Sequence, residues 1–358
     1  MKIIFDNIIF SQQRAGGISV VWYELLKRVL KESDIQPIFI DYQSSHLNYF
    51  RKSLILPKKS IIFKSNFLLK IRRYFNPHIR INEKTIFHSS YYRTCNHPKV
   101  YNVTTVHDFT YEKYYRGVAK WLHCKQKYKA IRNSDIIICI SENTKKDLLK
   151  ILPTIDESKI KVIYNGVSED YFKTDIHDED ELPFPIESYL IFVGSRKGYK
   201  RFDFAVEIAK QFNLNLIIVG GGELTKKERS FVDKEISVNK YVKMDAVSNN
   251  MLNKLYNSAF CFIYPSEYEG FGIPVIEAQK ACCPVIAFDG SSIKEIASDS
   301  ALLFSDFNID LIEQFVNTLK DPQQRNDLIL KGMKNAERFS WDKTYEEYMT
   351  VYSQLFSR

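Results

Sequence analysis

The sequence lacks most of the devices that would place it in a familiar class. No apolar run approaches the roughly 18 residues that span a bilayer, which excludes a helical membrane protein. The six cysteines (Cys95, Cys124, Cys139, Cys261, Cys282, Cys283) form no CxxC pair and no zinc-like spacing. Most lie among apolar neighbours, as small core residues in a reducing compartment do. None of the seven histidines falls in an HExxH pattern. The phosphate-binding GxxxxGK followed by Ser or Thr is missing, as is the dinucleotide fingerprint GxGxxG, so neither of those nucleotide sites is encoded. Short-period repeats and low-complexity tracts are also missing. The opening Met1-Lys2-Ile3-Ile4-Phe5-Asp6 carries an acid where a signal peptide would be apolar. It reads as a buried strand, with a cytoplasmic protein, or one bound to the membrane from that side, as the expectation.

What is present is an ordinary globular composition: 358 residues, 45% hydrophobic and 26% charged, enough for two domains at roughly 100–200 residues each. The charge is unevenly distributed. Residues 1–175 hold 30 Lys and Arg against 16 Asp and Glu, whereas the remainder holds 21 against 27. Between residues 51 and 84 there are ten basic residues and a single acid, Glu83. A one-sided basic half points to an anionic partner: nucleic acid, anionic lipid or a phosphorylated substrate.

Short apolar runs alternate with amphipathic stretches. Lys2–Phe10, Ile35–Ile40, Val103–Val106 and Asp135–Ile140 come first; Leu190–Val193, Leu214–Val219, Phe260–Tyr264 and Pro284–Phe288 follow. Runs that are apolar on both faces suit buried parallel strands. Ile18–Leu30 and Phe202–Phe212 read as crossover helices, giving a doubly wound α/β fold. The alternation fails once, around 165–188, where acids and Pro183 and Pro185 lack any period. The expected division is a domain over 1–170, a linker over 171–187, a second domain over 188–335 and a closing amphipathic segment over 336–358, helical from Trp341 to Phe356. Asp178-Glu179-Asp180 has the spacing of a metal-binding DxD, but more acids flank it and no strand precedes it, so it reads as a solvated linker.

Four places carry chemistry. After Phe260–Tyr264, the stretch Glu269-Gly270-Phe271-Gly272-Ile273-Pro274 leads into a helix bearing Glu277. Pro274 is expected where the helix begins, because proline is favoured at the first helical position, and backbone amides at such a terminus favour an anion. The two carboxylates can accept from sugar or ribose hydroxyls. A pairing of Glu277 with Lys280 at i+3 would account for one acid only. Gly194-Ser195-Arg196-Lys197-Gly198-Tyr199-Lys200-Arg201 places four cations just after a strand, which suits a diphosphate or a merely solvated loop. Gly16-Gly17, and likewise Gly220-Gly221-Gly222, permit close backbone approach or simply a tight turn. Finally, His107 follows a β-branched strand, with Asp108 able to orient it. His88 occupies a similar strand end with less support, and Ser141 reads as a helix N-cap.

In this order the pieces resemble the retaining glycosyltransferases of family 4. The likeness covers nearly the whole chain. Its most specific part is the Glu-x7-Glu pair Glu269 and Glu277 around Glu-Gly-Phe-Gly-Ile-Pro, with Ala278 and Pro284-Val285-Ile286 beyond. Gly16-Gly17, Val106-His107-Asp108, Ser141 with Thr144, Val162–Val167, Phe192-Val193-Gly194 with Lys200, and Phe339-Ser340-Trp341 support it. The resemblance implies the GT-B fold: two Rossmann-like doubly wound parallel-sheet domains facing across a cleft, with the closing helix crossing back to the N-terminal domain. It implies that Glu277 holds the ribose of a nucleotide-sugar, while Glu269 and the Gly270, Phe271 and Gly272 backbone hold the donor sugar, with Gly194 also among the residues binding the nucleotide-sugar. Arg196 and Lys200 would neutralise the diphosphate in place of a metal, with no cofactor. Gly17, beside Gly16, would approach the phosphates, and His107 would contact the transferred sugar. Two departures stand out. Arg196 lies one residue later than the family's usual Gly-Arg-Leu, and Cys282-Cys283 stands where a glycine is common.

The likeness further implies transfer of a hexose, mannose slightly favoured, from GDP-mannose or a UDP-sugar to a saccharide or lipid-linked acceptor in surface-polysaccharide assembly. The basic half, with Phe67-Leu68-Leu69-Lys70-Ile71-Arg72-Arg73-Tyr74-Phe75, would then face an anionic membrane. An epimerase or phosphorylase on the same architecture is the alternative enzyme. An anion- or nucleic-acid-binding module is a further one, disfavoured because the basic residues are scattered and no nucleic-acid motif appears, so nucleic acid is not expected as a partner.

Overall fold

The computed structural model describes residues 1–174, 181–245 and 247–357; the Asp178-Glu179-Asp180 run lies outside them. The chain forms two compact units, Met1–Gly166 together with Trp341–Arg358, and Val167–Ser340. Each is built on one parallel sheet. In the first unit the strands are β1 (Lys2–Asp6), β2 (Gln36–Tyr42), β3 (Ile61–Lys64), β4 (Thr85–Ser89), β5 (Val100–Val106), β6 (Ile136–Cys139) and β7 (Ile160–Val162). In the second they are β8 (Tyr189–Val193), β9 (Asn215–Val219), β10 (Tyr241–Met244), β11 (Cys261–Tyr264), β12 (Val285–Phe288) and β13 (Leu302–Phe304).

Among the described residues the strand orders are β3-β2-β1-β4-β5-β6-β7 and β10-β9-β8-β11-β12-β13. Both sheets are doubly wound, with strand order reversing between β1 and β4 in one and between β8 and β11 in the other. At such a reversal the flanking loops diverge and leave a crevice at the carboxyl ends of the strands, where ligands bind. Most central strands are those whose apolar runs announced them; β4, in which Thr85, His88 and Ser89 flank only Ile86 and Phe87, is central without such a run. Ile3, Phe5, Ile86 and Val103 are fully buried in the first core, as are Leu190, Ile218, Ile263 and Ile286 in the second. The strands that carry little pattern are short edge strands. β3 has only the three apolar residues Ile61–Phe63, with Phe63 exposed, and β7 holds three residues with Lys161 between Ile160 and Val162, so neither has a long apolar run to read.

The expected linker over 171–187 is partly structure of the second unit. Tyr171 is buried there, the Phe172 amide donates to Asn253 Oδ1 (3.0 Å), and the Thr174 amide donates to Asn257 Oδ1 (3.0 Å). The crossing between units falls at Gly166, earlier than the composition suggests. Its return falls at Ser340, whose short bridge pairs it with Val167.

The final helix, Trp341–Phe356, packs on the first unit. Tyr348, Val351, Tyr352 and Leu355 enter its core. The helix is fastened by a buried histidine: His88 Nδ1 meets the Tyr352 hydroxyl at 2.6 Å and Nε2 meets Thr105 Oγ1 at 3.0 Å. The Thr105 and Tyr348 hydroxyls pair at 3.1 Å. Both ring nitrogens of His88 are therefore satisfied within the core, and the residue is structural.

Burial, with His107 nearby, pulls the His88 imidazole down to about 3. A histidine lowered on folding contributes stability above its unfolded pKa near 6.5, and that stability is lost as pH falls toward the folded value, by up to about 1.4 kcal/mol per pH unit. Acidification from pH 7 to 5 should therefore loosen the Trp341–Phe356 helix. Hydrogen exchange across that helix should speed up beyond the intrinsic pH effect, and His88→Gln should flatten the response. Protection unchanged over this range in the parent protein would exclude His88 as the acid-sensitive fastening.

Candidate active site

The two strands flanking the reversal in the second unit, β8 and β11, each end in a loop that carries charge. Lys200 follows β8 and Glu269 follows β11, 69 positions apart, and their side chains form an ion pair with both partners mostly buried. The loops are tied through their backbones as well, the Glu267 amide donating to the Tyr199 carbonyl at 2.8 Å. Aromatic rings surround the ammonium: Lys200 Nζ lies 5.6 Å from the Tyr199 ring centroid and 5.5 Å from that of Tyr264. The Tyr264 hydroxyl donates to Glu269, and burial together with that carboxylate holds the phenol well above its usual range. The Glu269 amide donates to Ser291 Oγ at 2.7 Å, and Ser292 Oγ donates to the Glu269 and Phe271 carbonyls at 3.0 and 2.9 Å. The pair is thus held from several sides.

Gly272 opens the helix Ile273–Lys280 with φ of +106°, and Pro274 sits second in it, one place later than the spacing suggested. The φ favours glycine, and a Cβ at Gly272 would also lie 2.5 Å from Ile293 Cδ1, so that side chain's end would have to shift. The Phe271 ring is buried edge-on to Phe339 (5.6 Å), so the part of Phe271 left for a ligand is backbone. One helical turn on, Glu277 does not pair with Lys280, which instead reaches Glu169 (2.7 Å) and the Ser168 carbonyl (3.3 Å). Glu277 accepts from the Tyr171 hydroxyl. Burial drives its carboxyl up to about 7, with Tyr171 working against that rise. The Tyr256 ring lies beside that of Tyr171 (6.1 Å), and its buried hydroxyl has no partner among the described residues.

Arg196 is placed differently from the sequence expectation of a side chain facing a diphosphate. Its Nε donates to Glu228 at 3.0 Å, Nη1 to the Gly220 carbonyl at 3.0 Å, and Nη2 to the carbonyls of Gly221, Gly222 and Glu223 at 3.3, 2.9 and 2.9 Å. The side chain is 3% exposed. Gly220, Gly221 and Gly222 all have φ near +75°. Three consecutive left-handed residues would cost about 1–2 kcal/mol each with a Cβ, and a Cβ at Gly221 would come within 2.7 Å of the Gly194 carbonyl oxygen. The triple glycine thus turns its carbonyls onto one guanidinium, locking the loops after β8 and β9 together. Gly194, with φ of +129°, makes the turn at the end of β8.

In the first unit His107 stands just beyond β5 and is 8% exposed. Burial, reinforced by Lys127, lowers its imidazole to about 4 despite the neighbouring Asp108; the ring is neutral near pH 7. Asp108 caps the next turn, accepting from the Thr110 amide at 2.8 Å. Lys127, fully buried, donates to the Asp108 carbonyl and to Glu112, both at 2.9 Å. Gly16 caps the helix Gly17–Val29, and a Cβ at Gly17 would meet nothing within 4 Å. Its backbone is open to approach. Ser141 accepts from the Thr144 amide at 3.0 Å as an N-cap.

The partners of these groups escaped the sequence reading. Tyr171 sat in the expected linker, Tyr264 passed as a core aromatic, and Lys127 lies within a helix whose apolar and basic residues show almost no segregation. Only a strand-end position could have flagged Tyr264, and nothing local flags the other two.

The glycosyl transferases group 1 model matches residues 174–335, and the Glycosyltransferase Family 4 model matches residues 15–171. The chain is 30% identical over 217 residues to the O-antigen chain mannosyltransferase RfbU of Salmonella typhimurium, covering 60% of this chain and 58% of that protein. It is 28% identical over 253 residues to an uncharacterized glycosyltransferase of Methanocaldococcus jannaschii, covering 66% and 64%. The match thus spans less than two thirds of the length of either relative. A galactosyltransferase of Escherichia coli acting on GlcNAc-diphosphoundecaprenol is 28% identical over 284 residues, 75% of this chain and 70% of that one. In fold, the chain is similar to Anabaena HepE in complex with UDP and glucose, at a TM-score of 0.74 and 14% identity over 99% of this chain and all of that one.

Glu277 generates a pH prediction. Its folded value of about 7 lies above the ordinary 4.5, so ionising it opposes folding, and its contribution to stability falls as pH rises from 4.5 to 7. Glu277→Gln removes this loss. In ligand-free melts the variant should gain on the parent between pH 5 and pH 7, by up to about 1.4 kcal/mol for each pH unit crossed, and level off by pH 8. A constant difference in melting temperature over that range would show that Glu277 is not held protonated by burial.

Proposed function

The chain belongs to the glycosyl transferases group 1, with the GT-B pair of parallel-sheet domains, and on that premise we propose that it is a retaining hexosyltransferase. The second unit takes a nucleotide-sugar, GDP-mannose favoured over a UDP-sugar, and the first takes a saccharide or lipid-linked saccharide in surface-polysaccharide assembly. The observation that carries this reading is the Lys200–Glu269 pair at the β8–β11 reversal, with Glu277 one turn into the Ile273–Lys280 helix that follows.

Each group has a part in the step. The ionised Glu277 accepts from the ribose hydroxyls, and Tyr171 orients it. A donor diphosphate competes with Glu269 for Lys200, and the carboxylate so released accepts from hydroxyls of the sugar. The bond from the anomeric carbon to the leaving phosphate breaks, and the bond to the acceptor oxygen forms on the same face. The acceptor's proton passes to the departing phosphate. Charge accumulating there is met by Lys200 and by the amino terminus of the Ile273–Lys280 helix, with no metal required. Donors placed in advance at a developing charge need no reorganisation during the reaction. Arg196, engaged by the glycine loop, acts on the diphosphate by fixing the loop that carries Lys200. His107, neutral at pH 7, donates or accepts one hydrogen bond to the sugar and is not a general base. Support for the polysaccharide setting comes from the O-antigen mannosyltransferase and the diphosphoundecaprenol galactosyltransferase among the relatives.

A thermal-shift series with GDP, UDP, CDP and dTDP, each with and without EDTA, tests this. One diphosphate at 100 times its dissociation constant should add about 2.7 kcal/mol of stability, unaffected by EDTA. Lys200→Ala should abolish that gain and reduce turnover roughly 10²–10³-fold. If no nucleotide stabilises the protein, the transferase reading fails. Loss of stabilisation with EDTA would overturn metal independence.

The first unit's basic surface is also given a part. Phe67, Leu68, Ile71 and Phe75 are all more than half exposed beside Lys70, Arg72 and Arg73, a mixture suited to the interface of an anionic membrane. Sedimentation with vesicles should rise with phosphatidylglycerol content and fall on reversing the charge of Lys70 and Arg72. Binding indifferent to both would rule the membrane out as a partner.

A further inference from the structure

Lys200 is followed by a residue whose backbone conformation does not suit its own side chain. Arg201 has φ and ψ both at +47°, closing the turn Gly198–Lys200 and opening the helix Phe202–Gln211 in one step. This left-handed conformation is natural to glycine and costs free energy in any residue with a Cβ. A residue is held in it only where the surrounding contacts impose it.

The contacts that impose it are made by the guanidinium. Nε donates to both carboxylate oxygens of Asp203 at 3.2 Å, and Nη2 donates to Oδ2 at 3.0 Å, within the first turn of the helix. Nη1 lies 3.5 Å from Glu267 Oε1, on the loop after β11. Arg201 Cζ sits 3.8 Å from the ring centroid of Phe307, just beyond β13, close enough for a cation–π contact. That ring in turn stacks on Phe288 at the end of β12, with centroids 4.7 Å apart and planes at 10°. One side chain therefore ties the loop after β8 to those after β11 and β13.

The fastening at the β8–β11 reversal is thus double. Lys200 and Arg201, adjacent in sequence, meet Glu269 and Glu267, two apart on the facing loop, and the Glu267 amide donates to the Tyr199 carbonyl beside them. A ligand affects the two pairs differently. A diphosphate that draws Lys200 away from Glu269 opens the first pair, and with it one tie between the loops, at the moment when the ammonium must be placed. A partly exposed ion pair contributes little energy of its own, so what the second pair supplies is register. We propose that Arg201 is a positioning residue for Lys200: its contacts with Glu267 and Phe307 keep the Tyr199–Arg201 turn against the β11 loop while the donor diphosphate takes the lysine. The diphosphate's part in this rests on the transferase reading. A displacement of about 1 Å in a group that meets developing charge is enough to lose most of its effect, so the root of a long, flexible lysine has to be fixed by something the ligand leaves intact.

The test is calorimetric titration of the full chain with GDP and UDP, with melting temperatures recorded in parallel. Arg201→Gly accepts the left-handed backbone and removes the clasp; it should weaken whichever nucleotide binds the parent by about tenfold, the scale of a coupling between neighbouring groups. Glu267→Gln should act in the same direction and serves if the glycine variant does not fold. Arg201→Lys, which keeps a cation toward Glu267, should recover part of the affinity. In a Lys200→Ala background, where the weaker binding that remains is read at high nucleotide concentration, neither Arg201→Gly nor Glu267→Gln should cost anything further, because there is no ammonium left to place. A role confined to the fold would lower the melting temperature with affinity at the parent level, or would weaken binding equally with and without Lys200. Either result overturns the inference. Nucleotide binding that Lys200→Ala weakens and Arg201→Gly does not would sink this inference alone, whereas a parent that binds neither nucleotide sinks the transferase reading and the positioning role together.

Discussion

The second unit depends on the reversal of strand order between β8 and β11. Because those two strands are neighbours and their connections run to opposite sides, the loop bearing Lys200 and the loop bearing Glu269 end beside each other, and their charges meet. Bringing an ammonium and a carboxylate this far from water is tolerable only because each neutralises the other and because further groups take up the remaining hydrogen-bonding capacity. Here Tyr264 does so for Glu269, while the Tyr199 and Tyr264 rings face the lysine. A ligand with an anionic part and a hydroxylated part can replace both halves of the pair at once, which a simple phosphate or a simple sugar cannot.

Around this pair the surrounding structure is stiff in the places that matter. The Arg196 guanidinium gathers four carbonyls and a carboxylate, so the loops after β8 and β9 move as one piece. Gly272, with its φ of +106° and Ile293 Cδ1 close by, fixes the turn into the Ile273–Lys280 helix. Glu277 is the adjustable element: with its carboxyl near neutrality, its charge responds to whatever occupies the site. A ligand that donates to it favours the ionised form, and solvent exclusion alone favours the protonated one.

The first unit shows a different use of buried polar groups. Asp6, Arg93 and Tyr42 form a closed network at the end of β1, with Ser89 donating to Asp6 at 2.8 Å. His88, Thr105, Tyr348 and Tyr352 form another, which fastens the last helix of the chain. Both are fully internal.

The sequence alone determined what is encoded locally. Most central strands show as apolar runs because both their faces are buried, though β4 does not, the Trp341–Phe356 helix shows by its period, and the Glu269–Glu277 spacing with its glycines and proline marks a loop entering a helix. The edge strands β3 and β7 were illegible because they are short and half exposed, and the linker's start was misjudged because Tyr171 owes its burial to residues some 80 to 100 positions away. Tertiary structure decided the pairings: that Lys200 meets Glu269, that Arg196 faces glycine carbonyls, that Glu277 meets Tyr171 and not Lys280, and that His88 is a fastening in the core. A spacing of three or four residues fixes which side chains share a helical face, but no local rule fixes which strand ends lie side by side. That depends on the order in which the whole sheet is assembled, and charge, burial and hydrogen bonding at the site follow from it.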